Sequence, residues 1–242
     1  MIIEPFNLTH ILTITIMPSL IFLCVYFLLK RCSEQSKQRI LLVICYSNIL
    51  LYAIYKIVQA NEEGYAFDIF VNLPLHFCNL NLLLIPIAIH AKSKMLMAYQ
   101  LYFGVPLVAL ALITVYPSFI SRPIWSFTPF IYFYYHSMLL VLPILLVKFK
   151  FYTPSFKVVL QPTLLLIVLT VIIHIVNVIF RATGIASESN YFFTYGLQGD
   201  FFTELLWSIV PYNFFFLLPA LLLFAPYIFL ITIPFHLRVT QV

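Results

Sequence analysis

The segment Val158–Phe180 reads VVLQPTLLLIVLTVIIHIVNVIF and contains no charged residue. An α-helix rises about 1.5 Å per residue, so this segment is long enough to cross the ~30 Å hydrocarbon core of a membrane. Its length and its apolar character therefore predict a transmembrane helix.

Six further apolar segments have a similar length. They are about Ile11–Leu29, Ile40–Val58, Leu73–Ile89, Met95–Val115, Phe130–Val147 and Leu205–Ile233. None shows the alternation of polar and apolar residues that is typical of a transmembrane β-strand. The sequence therefore predicts an all-α, polytopic membrane protein with seven transmembrane helices, which form a single seven-span membrane domain over residues 1–242.

The composition excludes an ordinary soluble fold. Of the 242 residues, 63% are hydrophobic and only 9% are charged, whereas soluble domains carry about 25% charged residues. No polar stretch is long enough for a separate soluble domain. The net charge of +5 comes from basic residues at the ends of the spans, so we expect no nucleic-acid partner.

The basic residues are distributed unequally between the two sides of the predicted spans. One side holds Lys30, Arg31, Lys37, Arg39, Lys92, Lys94, Lys148, Lys150, Lys157 and Arg238, and the other holds Lys56, Arg122 and Arg181. Cytoplasmic connections carry the excess of Lys and Arg. This asymmetry predicts an N-terminus outside, a cytosolic C-terminus and a multi-pass location in the plasma membrane.

Four of the predicted spans carry unusual polar residues at one depth. In this orientation the outer half of the membrane contains His76, Cys78, Asn79, Asn81, His136, His174, Asn177 and the start of the seventh span, with Asn190 and Tyr191 in the loop above. Polar groups inside a span are costly and face a cavity or the bundle interior. The pattern therefore predicts a polar site in the outer half.

The third span is polar around most of its circumference. At about 100° per residue, His76, Cys78, Asn79 and Asn81 cover well over half of the helix. The span is therefore central in the bundle, or its first turn is irregular and lines a wet cavity. Pro74 suits a first helical turn, which would place Cys78 near a helix N-terminus that favours a thiolate.

Two other spans carry polar stripes that we expect to face inward. The sixth span has His174, Asn177 and Arg181 at helical spacing, and the second has Asn48, Tyr52, Tyr55 and Gln59. The remaining histidines, which lie at span ends, are expected to be interfacial; they are His10, His90 and His236.

The cysteines form no CxxC motif. Cys24 and Cys45 are expected to be small buried hydrophobes. Cys78 is either another such residue or a reactive thiol. On a regular helix His76 points about 160° away from Cys78, so His136 from another span is the better general base. A zinc site from these residues and His174 is conceivable, but no metal-ligand spacing supports it, and we predict no metal.

The stretch LPLHFCNL, Leu73–Leu80, resembles the L-P-L-H-x-C-[DN] signature of the YwaF-type bacterial integral membrane proteins. Further segments resemble that family in the same order: Phe103–Pro106, Tyr132–His136, Asn177, Ser189–Phe193 and Trp207 with Pro211-Tyr212. The resemblance extends over about residues 70–215. Asn79 stands where the bacterial family often has Asp, and Ser189 stands where it has Thr.

This family is similar to an animal transmembrane acyltransferase of ether-phospholipid remodelling. The resemblance implies that Cys78 is the nucleophile and His136 the general base. It implies supporting roles for His76, Asn79, His174, Asn177, Asn190 and Tyr191. The expected function is a thiol-dependent lipid acyltransferase with membrane phospholipids as acyl donor and acceptor and no cofactor. The alternative is a non-enzymatic transporter or receptor that binds a lipid or small molecule.

Overall fold

The structure, a computed structural model, describes residues 1–62, 67–114, 119–197 and 201–239. Its helices are α1 (Leu8–Leu29), α2 (Glu34–Ala60), α3 (Phe77–His90), α4 (Lys94–Tyr99), α5 (Val105–Ile113), α6 (Phe127–Lys148), α7 (Leu160–Ala182), α8 (Phe201–Ile209) and α9 (Leu218–Val239). A π-helical turn, Gln100–Gly104, joins α4 to α5. In the described ranges the only β-type contact is a bridge between Ile2 and Pro123, so the all-α prediction is confirmed.

Within the described ranges, six helices are long and apolar enough to cross a membrane. They are Leu8–Leu29, Glu34–Ala60, Lys94–Ile113, Phe127–Lys148, Phe156–Ala182 and Phe215–Leu237. The remaining predicted span contains α3, whose 14 residues extend only about 21 Å. The chain is therefore a multi-pass membrane protein, whose described residues include six full-length helices and one short one.

Two of the predicted spans differ from the observed helices. The third begins at Phe77, because the carbonyl of His76 accepts the first helical hydrogen bond, from the N–H of Leu80 at 3.0 Å. Pro74 therefore precedes the helix, and its prediction as part of the first helical turn was wrong. A proline disfavours the α-helical conformation in the residue before it, here Leu73. Of the two predicted alternatives, the structure shows the irregular first turn.

The last predicted span is also interrupted. α8 ends at Ile209, and the helical backbone resumes at Phe215. Between them the chain contains Pro211 and turns at Phe214, whose φ is 67°. A proline removes a hydrogen-bond donor, and a non-glycine residue with positive φ cannot continue a right-handed helix.

The described residues form two compact units. The first contains Met1–Ala66 and Asn81–Tyr152, and the second contains Phe67–Leu80 and Thr153–Val242. In the first unit, α6 packs against α1, α2 and α5. The rings of Tyr52 and Tyr55 lie 5.5 and 6.0 Å from that of Tyr135 on α6. The whole polar stripe of α2 is buried, as predicted.

His10 is buried in the first unit, and its position at the membrane interface stays a prediction. Its Nε2 lies 2.8 Å from the carbonyl oxygen of Leu112, in the last turn of α5. The side chain of Asn7 caps α1 by accepting from the His10 N–H at 2.8 Å, which starts the helix early. The last carbonyls of a helix have no intrahelical donor, and this imidazole meets one of them.

A bidentate ion pair connects the end of α2 to the segment before α6. The Arg122 guanidinium donates to both carboxylate oxygens of Glu62, at 2.9 and 3.0 Å. The Thr128 hydroxyl donates to the same carboxylate at 2.7 Å. The bonds from Arg122 hold the pKa of Glu62 below its ordinary value.

Glu62→Gln is therefore expected to destabilise the protein at neutral pH by about 1 kcal/mol. Because the folded pKa of Glu62 is lowered, its contribution is present above the unfolded pKa and is lost as pH falls through the folded one. The difference in Tm between the wild type and Glu62→Gln should shrink on acidification. Glu188→Gln, which changes an exposed carboxylate, is the control. A Tm difference that is independent of pH would contradict the assignment.

Candidate functional site

The loop after α7 folds back onto that helix through one buried amide. Asn177 is fully buried, and its Nδ2 donates to the carbonyl oxygen of Tyr191 and to Oγ1 of Thr194, both at 2.8 Å. Its Oδ1 accepts from the N–H of Tyr191 at 2.9 Å. One side chain thus satisfies both backbone groups of Tyr191.

The rest of the polar stripe on α7 contacts the same loop. Arg181 donates from Nε to the carbonyl oxygen of Ser189 at 2.7 Å, and its guanidinium lies 4.3 Å from the ring centre of Tyr195. Nδ1 of His174 lies 3.1 Å from Oγ1 of Thr194. The prediction that this stripe faces inward is confirmed, because it faces the loop instead of the surface.

The loop carries backbone strain. Phe192 and Phe193 both have φ of 56°, a region that costs non-glycine residues about 1–2 kcal/mol each. Asn190 closes the loop by donating to the carbonyl of Gly196 at 3.0 Å and accepting from the N–H of Tyr195 at 2.9 Å. Such strain persists only where surrounding bonds enforce it, and it is concentrated at functional sites.

The segment before α3 packs on this loop. The Tyr191 hydroxyl donates to the carbonyl of Phe70, and burial raises its pKa to about 12, so it remains a donor. The His76 ring lies 5.1 Å from that of Tyr191 and 5.7 Å from that of Phe193. Phe77, the first residue of α3, contacts the Phe192 ring at 5.5 Å. Predicted residues of the second unit therefore converge: His76, His174, Asn177, Asn190 and Tyr191.

Cys78 is the second residue of α3 and lies one position after Phe77, which packs on the loop. It is a free thiol of intermediate exposure, and Asn79 beside it is buried. The first N–H groups of a helix have no intrahelical acceptor, so Cys78 lies among backbone donors. Cys45 is buried as expected, but Cys24 is exposed, and its prediction as a buried residue was wrong.

His136 is buried in α6, in the first unit. Its Nδ1 lies 2.8 Å from the carbonyl oxygen of Tyr132, and its ring lies 4.1 and 4.2 Å from those of Tyr132 and Tyr135. A carbonyl only accepts, so Nδ1 carries the proton and Nε2 of the neutral ring has the free lone pair. A backbone carbonyl thus orients this imidazole in a form that can accept a proton.

Cys78 and His136 belong to different compact units, and their pairing stays a prediction. Across the described ranges, no group of three or more His, Cys, Asp or Glu side chains is arranged to hold a metal. Sequence reasoning missed Thr194, which is fully buried and meets both Asn177 and His174. The only feature of the sequence that could have indicated Thr194 is its position three residues after Tyr191.

The model of the TMEM164 family matches residues 5–232 of the chain. No curated protein and no solved structure matches it. The family match includes nearly the whole chain and therefore both compact units.

Proposed function

Because this chain belongs to the TMEM164 family of transmembrane proteins, we propose that it is a membrane-embedded, thiol-dependent lipid acyltransferase of the kind that its YwaF-type signature resembles. The observation that carries the proposal is the position of Cys78. This free thiol lies in the first turn of α3, next to a residue that packs on a strained, polar loop. The donors at a helix N-terminus favour the thiolate form of such a residue.

The reaction has two steps. The Cys78 sulfur attacks the ester carbonyl of a phospholipid, the ester C–O bond breaks, and a thioester forms. His136 takes the thiol proton through Nε2 and returns it to the leaving oxygen of the lysophospholipid. In the second step His136 takes the proton of an acceptor lysophospholipid hydroxyl, which attacks the thioester, and the thiol is restored.

The hydrogen-bond donors that stabilise the oxyanion are best supplied by the backbone N–H groups in the first turn of α3. Its N–H groups lie at the end of the helix where donors have no intrahelical acceptor. Asn177 and Asn190 fit that role less well, because their amide groups are engaged in the loop. We assign both asparagines as positioning residues that hold Tyr191 and its neighbours against His76.

The proposed orientation places this site in the outer half of the plasma membrane, with the N-terminus outside. Such a site has no ready access to cytosolic acyl-CoA, so phospholipids serve as both donor and acceptor. Reporter fusions after residues 35, 93 and 152 are expected to report a cytosolic location, and fusions near residues 122 and 190 an external one. The reversed pattern would overturn the outer-leaflet site.

The enzymatic proposal is tested by Cys78→Ala in reconstituted vesicles. Transfer of a labelled acyl chain from phosphatidylcholine to a lysophospholipid should be lost, while Cys45→Ala, which alters a buried thiol of α2, should retain it. Thermal unfolding of each variant checks that the fold is kept. If Cys78→Ala transfers acyl chains as fast as the wild type, the nucleophile assignment is wrong. A protein that binds lipid without any transfer would instead be the transporter or receptor.

A further inference from the structure

The interior of the first unit contains three primary amides without a protein hydrogen-bond partner. They are Asn48 on α2, Asn81 on α3 and Gln100 at the start of the π-helical turn, with exposed fractions of 3%, 1% and 0%. Within the described ranges, no protein group bonds to the nitrogen or the oxygen of any of the three. Buried polar groups are almost always hydrogen-bonded, so three such amides in one unit indicate a ligand.

Two of these amides face each other across Gly104. A Cβ placed on Gly104 would lie 3.0 Å from Oε1 of Gln100 and 3.8 Å from Nδ2 of Asn81. These two atoms therefore lie no farther apart than the sum of those distances, 6.8 Å. Two hydrogen bonds through one water molecule bridge about 5–6 Å. The spacing fits one small bridging molecule.

Asn48 lies at the same level of the first unit. The side chain of Gln38 on α2 donates to the carbonyl of Ile89 on α3 at 3.0 Å, which sets the start of α2 beside the end of α3. Asn48 lies about 15 Å along α2 from Gln38, and Asn81 lies about 12 Å back along α3 from Ile89. Consecutive spans run in opposite directions, so the two amides differ in depth by about 3 Å.

A π-helical turn lies beside Gln100 and Asn81. The N–H of Val105 bonds to the carbonyl of Gln100, five residues back, and Pro106 has no N–H to offer a regular helical bond. This turn brings Gly104 next to the Gln100 side chain, where any Cβ would press against Oε1. π-helical turns of this kind are frequent at functional sites.

We propose that Asn81 and Gln100 form a buried binding site for ordered water inside the helix bundle, with Asn48 at a similar depth on α2. Each amide offers two N–H donors and a carbonyl acceptor, which together suit a small molecule that both donates and accepts. The short spacing between the Gln100 and Asn81 side chains suits a ligand of the size of water. Among the described carboxylates at the two ends of α2, Glu62 pairs with Arg122 and Glu34 is exposed, so neither supplies a counter-charge for a metal cation.

Solid-state NMR of the wild-type protein in lipid bilayers tests the site directly. The side-chain N–H₂ signals of Asn81 and Gln100 should receive magnetisation from water, although both residues lie inside the bundle. Gly104→Ala should abolish this transfer at Gln100, because the added methyl occupies the space beside Oε1. Absence of any water contact in the wild type would overturn the proposal.

Thermal unfolding provides a second test, because the two possibilities predict Tm changes of opposite sign when an amide is replaced by an apolar side chain. If the amides share water, Asn81→Leu and Gln100→Leu should each lower the Tm. The decrease in Tm of the double variant should be smaller than the sum of the two single decreases. If the amides bind nothing, replacing one by an apolar side chain of similar size should raise the Tm. A rise would overturn the proposal.

Two controls test whether the effects are specific to these amides and to an uncharged ligand. Ser137→Ala removes a buried hydroxyl that also has no described partner. Ser137 lies one turn beyond Phe133, whose ring faces His10 on α1 at 5.9 Å, and its removal should leave the water contact of Gln100 unchanged. Replacing sodium and potassium by choline should leave the wild-type Tm unchanged. A shift with the cation would overturn the assignment to an uncharged ligand.

Discussion

His136→Ala is expected to slow acyl transfer by about 10²–10⁴-fold, the usual contribution of a general base. The bond from Nδ1 to the Tyr132 carbonyl leaves Nε2 of the neutral ring as the proton acceptor. In the proposed mechanism, its loss deprives the Cys78 thiol of its base and the leaving lysophospholipid of its acid. The initial rate of acyl transfer in vesicles, measured over a range of donor lipid concentrations, should show a lower kcat with little change in KM.

His10→Ala is the matched control for this effect. His10 is also buried in the first unit and also meets a backbone carbonyl, that of Leu112, but the proposed reaction does not use it. Its removal should lower the Tm while the rate per folded molecule is kept. Equal losses of rate in the two variants would show that His136 acts through stability alone.

Asn177→Leu is expected to lower the free energy of unfolding by about 2–4 kcal/mol and to abolish acyl transfer. The substitution removes hydrogen bonds to both backbone groups of Tyr191 and to Thr194. Each bond contributes about 1 kcal/mol, and leaving buried backbone groups unsatisfied adds to the loss. Thermal unfolding gives the stability, and proteolysis between residues 186 and 197 reports release of the loop.

Val178→Ala provides the neighbouring control on α7. Val178 is exposed, and truncation of such a side chain should change stability by no more than about 0.5 kcal/mol. The strained φ angles of Phe192 and Phe193 should relax only when Asn177 is lost. If the loop resists proteolysis equally in both variants, Asn177 does not hold it.

Hydropathy and periodicity were sufficient to predict the helical class and most of the spans. The stripe of His174, Asn177 and Arg181 was also predictable, since helical spacing places these residues on one face. Polar coverage of the third span predicted either a central position or an irregular first turn, and the residues before Phe77 show the irregular turn. These features depend on patterns local to one segment, which a single sequence displays directly.

Other features depend on contacts between distant segments. Nothing near His10 in the sequence shows that the carbonyl of Leu112, at the end of another helix, needs a donor. The π-helical turn precedes Pro106, which has no N–H to donate, and its bonding pattern has no periodic signature. The fold of the loop around Asn177 likewise depends on which backbone groups are left unsatisfied.

The most direct test of the account is the mass of the protein after turnover with an isotope-labelled phospholipid. A labelled acyl group is expected on the peptide that contains Cys78; it should be released by hydroxylamine, present in Cys45→Ala and absent from Cys78→Ala. His136→Ala should acquire it slowly. A wild-type protein that transfers acyl chains without this adduct, or an adduct that persists in Cys78→Ala, would contradict the thioester mechanism.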